Sequence, residues 1–181
     1  MVRTWDPCAG TSGIGKMTIT IRLQREAFDA ANEIAALTRN RTDIGAVVTF
    51  TGICRADENG EPIAALNLEH YPDMAEAEIG RHIEAARQRW PLLGVTVIHR
   101  YGRIAPGEGI VLVLTASNHR EAAFAAAEFL MDYLKTRAPF WKQVEKPGGK
   151  TSDKIWVEAK ASDDSAAERW KPAPTKREAA N

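Results

Sequence analysis

The run from Ile110 to Lys142, IVLVLTASNHREAAFAAAEFLMDYLKTRAPFWK, constrains this chain more than any other stretch. Its first part, IVLVLT, is apolar nearly throughout, as a central strand covered on both faces must be. A helix follows directly. Asn118 suits the N-cap, and Glu121, three residues on, completes a capping box. That arrangement puts His119 and Arg120 in the first turn, beside unpaired backbone N–H groups and the positive end of the helix dipole, where an anion is favoured. Pro139 stops the helix, and Lys135, Arg137 and Lys142 surround Pro139, Phe140 and Trp141 in what reads as a basic loop. Two basic clusters bracketing one apolar helix fit a phosphate or carboxylate ligand. They equally fit a solvated face, because cations are common near helix C-termini.

The rest of the chain supplies partners for this unit. Residues 1–16 show no periodicity and read as a loose extension; their GTSGIGK lacks both the phosphate-loop spacing and a preceding strand. From Met17, MTITIRL alternates like a half-buried strand. Ala27 to Thr38 reads as a helix with Phe28, Ala31, Ile34, Ala35 and Leu37 on its apolar side. Ile44 to Thr51 is a β-rich run. The polar GICRADENGEP follows, with Asn59-Gly60 as a hairpin turn and Ala64 to His70 as the expected return strand of that hairpin. Tyr71-Pro72 opens a helix to about Trp90, with Met74, Ile79, Ile83, Ala86 and Trp90 expected inside; His82 reads as packed or capped. Val95 to Arg100 is a further strand, separated from IVLVLT by the turn-rich RIAPGEG. Glu145 to Lys154 reads as a flexible loop, Ile155 to Ala159 as a short strand, and Ser162 to Trp170 as a final helical turn or two. Residues 171–181 have the composition of a disordered tail. The expected division is one folded domain over 17–170, α+β, with a largely antiparallel sheet and packed helices.

Charge and cysteine usage exclude several function classes. Among 181 residues, Lys+Arg 24 balance Asp+Glu 24, so no global field draws the chain to nucleic acid or anionic membrane. Any anion site is a local concentration of charge. RNA binding is further disfavoured by the absence of an aromatic-basic stripe. Cys8 and Cys54 form no disulfide framework, and the four histidines follow no metal-ligand spacing, so neither a metal nor another cofactor is expected. No apolar run approaches the roughly 20 residues of a membrane span, and the N-terminus lacks a signal-peptide core, so a cytoplasmic protein is expected. Ser117 is explained as a helix-start residue. Cys54, beside Arg55, is conceivable as a nucleophile, but a cysteine after a β-branched strand is more simply structural. The residues favour binding and polarising an anionic substrate, with lysine as acid and base.

Several segments together resemble a known family. TFTG-x-x-R (Thr49 to Arg55), LEHYPDM, RWPLLGVTVIHRYG, TASNHREAAF, FLMDYLKTRAPFWK and WVEA, in colinear order from about Met17 to Trp170, closely resemble the large, catalytic subunit of molybdopterin synthase. The resemblance implies an α/β hammerhead-type fold and a homodimer of large subunits, each carrying a small ubiquitin-like sulfur-carrier subunit. That small partner's C-terminal Gly-Gly thiocarboxylate would enter the large subunit and donate sulfur to cyclic pyranopterin monophosphate. Two transfers would build the dithiolene of molybdopterin. The sulfur then arrives on the partner, which accounts for the lack of a convincing nucleophile.

The same resemblance implies the site. Arg55 matches the basic residue after the FTG strand, with Ile53 and Cys54 as backbone contacts. His119 and Arg120 match a pair that holds the substrate phosphate, across the dimer interface. Lys135 and Lys142 match two catalytic lysines, either as proton shuttles and charge stabilisers or through a transient covalent link. Gln143 and Val144 follow in the binding loop, and Lys160 matches a basic residue after the WVEA strand. Two positions depart from the pattern: Ile53 stands where relatives often carry Lys, and Gln143 where they often carry Arg. The competing class is a non-catalytic adaptor for a Gly-Gly-tailed partner, which would need the apolar groove but not both lysines with the His-Arg pair.

Overall fold

The computed structural model describes residues 17–136, 139–148, 155–157 and 169–170, with Pro72 and the strand at 155–157 described by their backbone alone. The expected extension 1–16, Lys160, most of the turn from Ser162 and the tail 171–181 lie outside the described residues. The elements run β1 (Thr18–Gln24), α1 (Ala30–Thr38), β2 (Ala46–Ile53), β3 (Asp57–Glu58), β4 (Glu61–Pro62), β5 (Ala65–His70) and α2 (Pro72–Arg89). They continue with β6 (Leu92–Arg100), β7 (Gly102–Ile104), β8 (Gly109–Ser117), α3 (Arg120–Thr136), β9 (Phe140–Glu145) and β10 (Ile155–Val157). One sheet has the order β1-β6-β8-β2, a second β10-β9-β5-β7, and β3-β4 form a small ribbon. Every pairing is antiparallel except β1 with β6. The class is α+β with largely antiparallel sheets, as expected.

Strand alternation sets the layers of the first sheet. Val95, Val97, Val111 and Val113 face Ile79, Ile83 and Ala86 of α2 and Ala126, Phe129, Leu130 and Leu134 of α3. The opposite face, Ile98, Leu112, Leu114 and Ala116, packs on Leu37, Phe28 and Ile34 at α1. Thr115, fully buried on the face of Val111 and Val113, donates from Oγ1 to the Ala123 carbonyl at 2.7 Å and ties α3 to β8. The second sheet has its own apolar cluster of Cys54, Ile63, Leu66, Leu68, Ile104 and Val144, and Ile110 packs against the clusters of both sheets.

Five details differ from the sequence reading, each for a physical reason. Helix α1 starts at Ala30, because the Asp29 carboxylate caps it by accepting from the N–H groups of Ala31 and Asn32. The strand at Ala65–His70 is not the return of a hairpin with β2. It pairs with β9 and β7, burying Leu66 and Leu68 in the second cluster, while β2 pairs with the more apolar β8. The Asn59-Gly60 turn does form, with φ of 55° and 84°, but it joins the two short strands of the ribbon. Met74 is 54% exposed, since the buried stripe through Ile79, Ile83 and Ala86, as expected, begins at Ala75 and not at Met74. Finally, the basic loop after Pro139 is strand β9, whose sequence FWKQVE has no clean alternation and which is recruited by pairing with β5.

An imidazole is buried where this second sheet meets the first. His99 is 8% exposed, stacks on Phe140 at 3.7 Å between ring centroids, and donates from Nδ1 to the Arg100 carbonyl at 2.9 Å. Burial lowers its pKa from the ordinary 6.5 to about 4, with nearby His70 adding to the depression. The unfolded chain therefore binds the proton more tightly than the folded one. The contribution is complete above pH ~6.5 and is lost as the pH falls towards 4, by about 3 kcal/mol at most. Thermal unfolding as a function of pH checks this. The loss between pH 6.5 and 4 should shrink in His99→Phe, which keeps the stack on Phe140 and removes the titrating ring.

Candidate functional site

The candidate site starts where β2 leaves the first sheet. A Cβ on Gly52 would fall 2.7 Å from Val111 Cγ1, so only glycine lets this end of β2 lie so close to β8. The register shifts between Gly52 and Ile53. Beyond it, Cys54 is anchored by backbone hydrogen bonds with Glu108 and Gly107 at 2.9 and 2.8 Å. Alternation then turns Cys54 inward and leaves Ile53, at 56%, and Arg55 exposed. The Cys54 thiol is 2% exposed, and desolvation pushes its pKa up against the opposing pull of the Lys142 charge. A buried thiol held in its neutral form is a packing group, not a nucleophile.

The ribbon β3-β4 brings a residue to this place that the sequence reading missed. Glu58 is 8% exposed and accepts from Lys142 Nζ at 2.7 Å, while Arg55 Nη2 lies 3.5 Å from the same carboxylate oxygen. Arg55 and Lys142 therefore come together through Glu58. The one signal that could have found it is period-2 alternation beside the Asn59-Gly60 turn, which makes Asp57 and Glu58 face opposite ways. Nothing local says which of them faces inward.

On β9, Lys142 is registered with Leu68 and Val144 with Leu66, so both belong to the face that covers the second apolar cluster. Val144 is buried there. Gln143 is registered with Asn67 and points to the opposite face, so its side chain does not join Lys142. Lys135, in the last turn of α3, lines a cleft of about 660 Å³ between α3 and β2, with Val48, Thr49, Phe50, Phe124 and Met131. Arg169 closes one side of the cleft through hydrogen bonds to Asp132 at 2.6 and 3.1 Å.

His119 and Arg120 are exposed at the other end of α3. At 1.5 Å of rise per residue, Arg120 and Lys135 lie about 22 Å apart along the helix, so one chain does not unite them. The expected capping box is replaced by a different anchor. The Asn118 side-chain amide donates to the Asp43 carbonyl at 3.0 Å, and the Ser117 hydroxyl donates to Pro91 O at 2.8 Å. Gly45 N–H donates to Ser117 O at 3.0 Å, and a Cβ on Gly45 would fall 2.1 Å from Asn118 O. The helix start is thus clamped against the loop that leads into β2. Among the described residues no cluster of His, Cys, Asp and Glu could hold a metal ion, and no helix is long and apolar enough to cross a membrane.

Comparison with known proteins bears on what this geometry is for. Residues 23–137 match the model of the family described as MoaE protein. A molybdopterin synthase catalytic subunit from Mesorhizobium japonicum is 63% identical over 84% of this chain and 93% of its own. Among solved structures, the molybdopterin biosynthesis MoaE protein from Burkholderia ambifaria superposes with a TM-score of 0.71 at 42% identity, covering 84% of this chain and 98% of that one. The crystal structure of molybdopterin synthase from Staphylococcus aureus gives 0.67 at 27% identity, covering 76% and 96%.

The state of Cys54 is directly testable. In the folded protein at pH 7.5, peptide mapping after treatment with iodoacetamide should find Cys54 essentially unmodified, with rapid alkylation once the chain is unfolded. Alkylation at a free-thiol rate in the folded state would contradict the buried, neutral thiol.

Proposed function

The chain belongs to the MoaE protein family, and on that premise we propose that it is the catalytic subunit of a molybdopterin synthase, acting as a sulfurtransferase. Its substrate is cyclic pyranopterin monophosphate, and the sulfur comes from the C-terminal Gly-Gly thiocarboxylate of a small carrier subunit. A catalytic subunit implies a second subunit, and the absence of an activated thiol at Cys54 fits a sulfur that arrives from outside. The reading places the protein in the cytoplasm, a reducing compartment that spares an exposed thiocarboxylate.

The observation that carries this reading is the convergence of Arg55 and Lys142 on one carboxylate oxygen, above an apolar floor. Two cations aimed at one oxygen can grip the oxyanion that forms as sulfur is transferred. The thiocarboxylate sulfur attacks an oxygen-bearing side-chain carbon of the pterin, so that a C–S bond forms as the C–O bond at that carbon breaks and its oxygen leaves with a proton. Water then cleaves the acyl–sulfur bond, returning the carrier as a carboxylate and leaving the sulfur on the pterin. Lys142 and Lys135 stabilise the negative charge of these steps and move the protons they require. Ile53, Cys54, Gln143 and Val144 contribute backbone around the substrate, and Lys160 adds a cation. His119 and Arg120 hold the phosphate. Because α3 separates them from Lys135 by about 22 Å, they serve the pocket of the second subunit of a homodimer.

Reconstitution with thiocarboxylated carrier and precursor tests this, with the dithiolene product read by mass spectrometry. Lys135→Ala and Lys142→Ala should each lower turnover by about 100-fold or more. Wild-type turnover in both would overturn the assignment. Arg120→Ala should raise KM for the precursor about tenfold, the size of one charged hydrogen bond, with the dimer intact.

A further inference from the structure

Glu58 is a buried carboxylate that the reaction just described leaves without a task. Its own ribbon does not stabilise it. The cross-strand partner of Glu58 is Glu61, a like charge directly opposite, which is unfavourable in a β-ladder. A buried carboxylate is costly unless a cation is in contact with it, and that cation comes from another sheet: Lys142 on β9.

The two cations that meet Glu58 are not held alike. Lys142 Nζ lies 2.7 Å from Oε2, at the short end of charge-assisted hydrogen bonds, and its side chain is 29% exposed. Arg55 Nη2 lies 3.5 Å from the same oxygen, beyond a good hydrogen bond, and its side chain is 62% exposed. The stem of a lysine is flexible, and here it stands on the face of β9 that covers Leu66, Leu68 and Cys54. Among the described residues, the Glu58 carboxylate is the ion-pair partner of this ammonium.

We infer that Glu58 is a positioning residue for the sulfur transfer: it holds the Lys142 ammonium at one point over the β5-β9 floor and leaves Arg55 free to reach the anionic substrate. The inference rests on the proposed catalytic role of Lys142. Glu58 acts through that lysine and does not itself touch the substrate. It also gives a purpose to the short ribbon, whose tight Asn59-Gly60 turn carries the carboxylate back over the cluster.

The experiment compares Glu58→Ala, Glu58→Gln and Lys142→Ala in the full chain, assayed with thiocarboxylated carrier and precursor, with kcat and KM separated and the thermal midpoint measured in parallel. Glu58→Gln keeps the length and one acceptor oxygen, so it carries the comparison even if the alanine variant does not fold. Glu58→Ala should lower kcat about tenfold or more, the cost of a reacting group misplaced by a fraction of an ångström to an ångström, with KM for the precursor within about twofold. Glu58→Gln should fall between it and the wild type. A second readout is independent of turnover: partial acetylation mapped by mass spectrometry should modify Lys142 faster relative to Lys135 once Glu58 is replaced. If Lys142→Ala is inactive while both Glu58 variants keep wild-type kcat, this inference alone is overturned. A rise in KM with kcat unchanged overturns it too. Retained activity in Lys142→Ala overturns the catalytic reading and this inference together.

Discussion

Everything in this molecule hangs on the pairing of β6 with β8. β6 is buried along its whole length and β8 from Val111 to Ser117, so each face of the pair must be covered by something apolar. That requirement places α2 and α3 on one side and α1 on the other, and it leaves β1 and β2 as the flanking strands. Covering a β-pair on both faces also removes water from its hydroxyl side chains. Thr115 and Ser117 therefore bond to backbone carbonyls of Ala123 and Pro91, which pins both the body and the start of α3. The N-terminal part of α3 is held as a consequence of how the central strands are satisfied.

The second sheet is attached to this frame at few points, and those points are where the chemistry lies. At the exit of β2 the Cys54 N–H donates to Glu108 O and the Cys54 carbonyl accepts from Gly107 N–H, and Ile110 packs into both apolar clusters. Arg100, nearly buried at the end of β6, donates to the carbonyls of Arg25 and Gly109 and contacts Glu108. A guanidinium with its donors so occupied fixes the corner where β6 gives way to β7. The floor of β5 and β9 is thereby set at a defined height beneath Arg55 and the ribbon, and charged groups are mounted on apolar ground. A charge on such ground is oriented by whichever counter-charge reaches it, which is the situation of Lys142.

Much of the fold was legible because its strongest elements are self-declaring. IVLVLT, the apolar stripe of α2 and the helix from Arg120 each carry enough periodicity to be read without partners. Errors cluster where several weak signals had to be resolved by pairing. The segment after Pro139 has too few apolar residues to announce β9, and its strand character comes from β5. Likewise, Ala65–His70 has the alternation of a strand but no mark of which sheet it joins. The stripe of Ile79, Ile83 and Ala86 lies where periodicity puts it, and only in the first turn does Ala75 take the inward place expected of Met74.

For the site, residue types were readable and their grouping was not. The chain by itself determined that basic residues sit at both ends of α3 and after the FTG strand, and that the motifs are those of one family. Local composition and spacing suffice for such statements, because they depend on neighbours within a few residues. Only the tertiary structure decided that Arg55 meets Lys142, that Glu58 stands between them, and that Lys135 lines the cleft between α3 and β2. Glu58 and Lys142 are 84 residues apart in sequence. Their contact arises from two strands of one sheet and a ribbon folded over them, a long-range arrangement set by burial and pairing that no local pattern encodes.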